Sequence, residues 1–180
     1  MAVSFTRAVG WLALVILGAI PQALLAAVIH GRVVGVSDGD TVKVLDAAQR
    51  LYTVRLMGID APEKTQPFGQ RSKQSLSELI FQKQVTVAWA KKDKYGRTVG
   101  KILTEAGDDI CLEQINRGMA WHYKQYAQEQ SLQDRRAYAR AEEDSRTQKM
   151  GLWQDPSSTP PWVWRQPHRP QPTVAERAQD

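Results

Sequence analysis

An α+β fold is what this sequence predicts: five strands forming a small barrel, with about three α-helices inserted and appended. Three observations lead there. Short β-branched runs alternate with polar residues, turn-forming residues separate them, and other stretches carry helical spacing instead. At 180 residues and 42% hydrophobic content, the chain supports one compact domain with short appendages rather than two domains or a disordered polymer.

Val33, Val34, Val36, Val42 and Val44 flank Ser37-Asp38-Gly39-Asp40, which reads as two strands joined by a turn. A third strand is expected over 51–59. It should stop at Asp60-Ala61-Pro62, because Pro62 lacks a backbone donor and restricts the residue before it. Leu76, Leu79 and Ile80 lie three and four apart and mark one apolar helical face. Val85, Val87 and Trp89 alternate as a fourth strand, and 99–103 makes a fifth after Lys94-Tyr95-Gly96. Asp108 and Asp109 can cap a short helix carrying Cys111, Leu112 and Ile115, with Gly118 as its stop. A last helix spans 130–149, where Arg140 and Asp144 form a four-apart ion pair. A closed barrel of the oligonucleotide-binding type accommodates this order of elements. Periodicity alone also permits a sandwich.

Both ends differ from this body. Arg7 is followed by an apolar stretch, then Pro21 and Gln22, then the small residues Ala23, Ala26 and Ala27. Residues 1–27 therefore read as an export signal, with an uncleaved membrane anchor as the alternative. The expected location is periplasmic or secreted, or the inner membrane if the signal is retained. Residues 28–154 form the expected domain. Residues 155–180 hold Pro156, Pro160, Pro161, Pro167, Pro170 and Pro172, which predicts an extended tail that Trp162 and Trp164 dock onto the barrel, with stacking on bases as the alternative role for the two indoles.

A formal charge of +5 suits a polyanionic partner. A lone cysteine, Cys111, excludes an intramolecular disulfide and a cysteine-based zinc site, and is expected to be a small buried residue. His30, His122 and His168 form no metal-binding pattern and are expected in packing or surface roles. No internal repeat or protein-docking segment stands out, and a monomer is expected.

Three segments carry chemistry: 38–41, 55–63 and 93–97. A phosphodiester is already anionic, and its hydrolytic transition state gathers more negative charge on oxygen. A hard divalent cation and guanidinium groups stabilise that charge, and a carboxylate activates water. Asp40 and Asp60 are candidate ligands for Ca²⁺, Arg55 and Arg97 are candidate forks for phosphate, and Glu63 is the candidate to act on water. Each also has a plain reading. Asp38-Gly39-Asp40 suits any hairpin turn, Asp60 to Glu63 suits a strand end, and both arginines suit a solvated surface. Lys91, Lys92, Lys94 and Lys124 are either a phosphate track or solvated charges.

Taken together and in this order, these segments resemble the staphylococcal nuclease family over residues 28–153. The resemblance implies a five-stranded barrel and Ca²⁺-dependent endonuclease action on DNA and RNA that leaves 3′-phosphate ends. It assigns calcium ligation to Asp40, Asp60 and the carbonyl of Ala61, which replaces the family threonine. It assigns phosphate binding to Arg55 and Arg97, and the general base to Glu63. Lys94 and Tyr95 match positions near the terminal phosphate of a bound nucleotide. Tyr126 matches a base-stacking tyrosine, while the second such position falls on Lys124, with Tyr123 displaced by one. Two rival readings remain: a barrel that binds nucleic acid without cleaving it, and an envelope-anchored interaction protein.

Overall fold

The computed structural model describes residues 27–166, so the export signal and the end of the tail, with His168, lie outside the described residues. The strands are β1 (Ala27–Val36), β2 (Thr41–Asp46), β3 (Leu51–Leu56), β4 (Ile59–Asp60), β5 (Gln84–Lys92), β6 (Thr98–Thr104) and β7 (Trp121–His122). The helices are α1 (Gly69–Ile80), α2 (Ile110–Asn116), α3 (Leu132–Thr147) and the single turn α4 (Pro161–Trp164). Two 3₁₀ segments, Lys124–Glu129 and Gly151–Gln154, complete the described chain.

Five strands close into a barrel in the order β1-β2-β3-β6-β5, which decides between barrel and sandwich. All neighbours are antiparallel except β3 and β6, which run parallel. Closure needs strong local bending, and the register slips that supply it lie between Val33 and Gly35 and between Trp89 and Lys91. Val33, Val42, Val44, Val54, Val87 and Ile102 fill the interior, as alternation requires. Leu76 and Ile80 of α1, Ile110, Cys111 and Ile115 of α2, and Tyr138 of α3 join the same core. Asp109 caps α2 as expected, accepting from the amides of Cys111 and Leu112, and Ser131 caps α3 by accepting from that of Asp134.

The expected third strand is corrected. It breaks after Leu56, where Gly58 turns the chain with φ 75°, and Ile59 and Asp60 then pair with Trp121 and His122. A run that reads as one strand therefore contributes to two sheets, and Asp60 is carried off the barrel wall. The tail is corrected as well. Pro161 opens a turn of helix instead of an extended segment, a position where its missing amide costs nothing. Trp162 packs against a second apolar cluster of Trp121, Leu152 and Trp153, whereas Trp164 is 42% exposed.

Candidate active site

Asp40 sits where β1 turns into β2, and its position is set from three directions. Its amide donates to Asp38 Oδ1 at 3.1 Å, an Asx-type turn. The preceding carbonyl, Gly39 O, accepts 2.9 Å from the side-chain amide of fully buried Gln114 on α2. Gly39 leaves no room for a side chain, since a Cβ there would overlap Ser72 Oγ and lie 2.7 Å from Ala61 Cβ. Asp40 Oδ1 accepts from Thr41 Oγ1 at 3.0 Å, and Oδ2 accepts from the Ala61 amide at 2.7 Å. Burial and the neighbouring Asp40 charge push the Asp38 carboxyl up to about 6.

Thr41 and Arg55 are register partners on β2 and β3, which brings Arg55 beside this turn. Its Nη2 lies 3.1 Å from Asp40 Oδ2 and donates to Asp60 Oδ1 at 2.8 Å. Its Nη1 donates to the carbonyls of Leu56 at 3.0 Å and Ile59 at 2.9 Å, holding the β3–β4 corner. One guanidinium thus bridges two carboxylates that are distant in sequence. Asp60 has no exposed surface, and desolvation raises its pKa against the opposing pull of Arg165 and Arg55.

Arg165 is a residue that sequence reasoning missed. It reaches back from the turn after α4, donating from Nη2 to Asp60 Oδ2 at 2.7 Å and from Nη1 to Glu63 Oε1 at 2.8 Å. A longer contact of 3.2 Å joins Nη1 to Asp60 Oδ1. Partial burial opposes its charge, but the bonds to Asp60 and Glu63 outweigh that and raise its pKa. No local pattern singles it out, because its partners are 105 and 102 positions away. Gln114 was missed for the same reason.

Asp40, Asp60, Arg55, Ala61 and Glu63 therefore converge, with Glu63 joined to the others through Arg165. Tyr123 lies beside them: burial, and after it the Asp60 charge, raise its pKa. Trp162 stacks on Tyr123 with centroids 5.5 Å apart and planes 10° from parallel, and Tyr126 meets the same ring edge-on at 4.9 Å.

Arg97, Lys94 and Tyr95 form a separate cluster on the β5–β6 turn. Arg97 Nε donates to Asp93 Oδ2 at 2.7 Å, while Lys94 and Arg97 lie over the Tyr95 ring at 5.1 and 5.5 Å. The parallel register pairs Arg55 with Val99, so Arg97 lies two residues before Arg55's partner on the adjoining strand. The lysines do not make one free track, since Lys91 pairs with Glu129 and Lys124 with buried Glu142.

The donors around Asp40 and Asp60 are all hard oxygens, which suits calcium or magnesium and not a soft metal. Among the described residues no three His, Cys, Asp or Glu side chains by themselves enclose an ion. A cation here would take the two aspartates and complete its shell with a carbonyl and water. The Arg165 guanidinium already occupies such a cationic position against Asp60.

Comparison with known proteins identifies relatives of this chain. The profile described as Staphylococcal nuclease homologue matches residues 53–155. An uncharacterized endonuclease of Escherichia coli is 39% identical over 142 residues, covering 79% of this chain and 88% of that protein. An uncharacterized endonuclease of Haemophilus influenzae is 42% identical, over 74% of this chain and 71% of that one. A protein named micrococcal nuclease from Shigella flexneri is 40% identical, over 76% of this chain and 80% of its own length. A closed five-stranded barrel, the Asp40–Arg55–Asp60 bridge and these matches lead to one assignment: the chain belongs to the staphylococcal nuclease family.

Proposed function

We propose that the protein is a calcium-dependent endonuclease that hydrolyses phosphodiester bonds of DNA and RNA and leaves 3′-phosphate ends. The observation that carries this reading is the bridge of Arg55 between Asp40 and Asp60 at one end of the barrel, with Glu63 alongside. Asp40, Asp60 and the Ala61 carbonyl hold the ion, which supplies Lewis-acid stabilisation of charge on the phosphate oxygens. Arg55 reorients part of its fork to a phosphate oxygen while its Nη1 stays on the Leu56 and Ile59 carbonyls. Arg97 is tethered to Asp93 through Nε, so its outer edge is the part offered to phosphate. Glu63 accepts the proton of the attacking water as the water oxygen bonds to phosphorus, the bond from phosphorus to the 5′ oxygen breaks, and the 5′ oxygen takes up a proton from solvent to leave as a hydroxyl. Tyr123 and Tyr126 receive a base, and Lys94 and Tyr95 contact the terminal phosphate. The apolar segment within 1–27 directs the protein to the periplasm or medium, and fractionation of cells expressing the full chain tests that placement.

Circular single-stranded DNA and RNA incubated with Ca²⁺, with Mg²⁺ and with chelator test the activity, followed by end-group analysis. Calcium should restore cleavage after chelation, because octahedral Mg²⁺ fits two carboxylates and a carbonyl less readily. Equal digestion in chelator removes the metal role, and binding without cleavage in excess calcium establishes a binding-only barrel. Glu63→Ala should lower turnover by roughly 10²–10⁴-fold while the melting temperature barely moves, since Glu63 is 40% exposed. Wild-type turnover in that variant excludes the assignment.

A further inference from the structure

We propose that residues 159–166 form an intramolecular latch in which Arg165 competes with the divalent cation for Asp60 and at the same time occupies Glu63. The proposal rests on reading Asp60 as a cation ligand. Two guanidinium groups touch Asp60, and only one is free to leave. Arg55 is 12% exposed and also supports the β3–β4 corner through two carbonyls. Arg165 is 41% exposed and contributes nothing to the barrel wall. It nevertheless takes Asp60 Oδ2 and Glu63 Oε1 in a forked arrangement. The Asp60 lone pair cannot serve a calcium ion at about 2.3–2.6 Å and a guanidinium together, and the two cations repel. Binding one expels the other.

The segment is built to hold this position. Pro160 and Pro161 restrict its backbone, and α4 places Trp162 and Arg165 three residues apart on one side of a helical turn. Trp162 lies flat on Tyr123 and edge-on to Trp121 with centroids 5.7 Å apart. Gln66 joins the latch to the site loop, accepting from the Glu63 amide at 3.1 Å and donating to the Thr159 carbonyl. The face of Tyr123 that a base would use is thereby covered by the same segment that neutralises Asp60. Release at either anchor loosens the other.

Apparent cation affinity equals the intrinsic affinity multiplied by the fraction of molecules with the latch open. Two partly exposed ion pairs and one aromatic stack correspond to about tenfold closure, or about 1.4 kcal/mol. Calorimetric titration of Ca²⁺ in the absence of nucleic acid measures it on the full chain, Arg165→Gln, Trp162→Ala and Arg140→Gln. The last variant removes one exposed charge elsewhere, since Arg140 is 86% exposed. Arg165→Gln should bind calcium about tenfold more tightly and Trp162→Ala, which loses only the stack, about threefold more tightly, with Arg140→Gln unchanged. Trp162→Leu replaces Trp162→Ala if circular dichroism finds the latter unfolded. Unchanged or weaker affinity in Arg165→Gln overturns the latch. So does tightening in Arg165→Gln without tightening in the Trp162 variant, because bulk repulsion then explains the effect. Absence of calcium uptake by both wild type and Arg165→Gln defeats the cation reading itself, and the latch with it.

Discussion

Replacing Arg55 with Met keeps an aliphatic stem of similar reach and deletes the charge between Asp40 and Asp60. The wild-type guanidinium donates to Asp60 at 2.8 Å and to two carbonyls at 3.0 and 2.9 Å, and lies 3.1 Å from Asp40. Asp60 is fully buried and Asp40 nearly so. Breaking a buried pair by removing one partner typically costs about 3–5 kcal/mol, because the remaining charge is desolvated without compensation. Arg165 still faces Asp60, which places the expected loss near the lower limit, about 3 kcal/mol. For a domain of this size that is a fall of about 6–12 °C in Tm. Urea unfolding in chelator, followed by tryptophan fluorescence, measures it. The pH dependence has a definite sign. Desolvation already raises the Asp60 pKa, and losing Arg55 raises it further. A carboxyl whose folded pKa lies above its unfolded value favours the native state below the unfolded value, and that advantage disappears as pH rises through the folded value. The deficit of Arg55→Met should therefore shrink as the pH is lowered from 7 toward 4. A loss below about 1 kcal/mol with no dependence on pH would refute the view that Arg55 neutralises these carboxylates.

Three further outcomes are expected. Gly39→Ala should cost about 1–3 kcal/mol in urea unfolding, because its Cβ meets Ser72 and Ala61 directly; unchanged stability would mean the turn can shift freely. Cys111 should resist a disulfide reagent at pH 8 until the protein unfolds, because burial, reinforced by Asp109, pushes its thiol up to about 12; rapid native labelling would contradict this. His122 should titrate below 6.5 by NMR, since burial lowers its pKa despite the Gln130 bond and the Glu142 charge. Its contribution to stability is complete above 6.5 and is lost as pH falls through the folded value, so a titration midpoint above 6.5 would reverse that sign.

Several elements were readable because their causes are local. Alternating valines gave β1 and β2, Asp109 marked the start of α2, and the spacing of Leu76, Leu79 and Ile80 marked α1. The β3 boundary misled because no proline or polar turn cluster interrupts the run from Leu51 to Ile59, and the positive φ of Gly58 marks the break between Leu56 and Ile59. The helical turn at Pro161 misled for a related reason. Proline excludes a helix interior but not its first position.

Residue types and their order were enough to indicate the family, the barrel and the acids and arginines suited to phosphodiester chemistry. Those signals survive in one dimension because turns, caps and alternation act within a few residues. Folding alone decided that Arg55 bridges Asp40 to Asp60, that Gln114 holds the Gly39 carbonyl, and that Arg165 lies on Asp60 from 105 positions away. Such contacts depend on which surfaces the closed barrel and its docked helices bring together, and a buried carboxylate accepts whichever cation that geometry delivers.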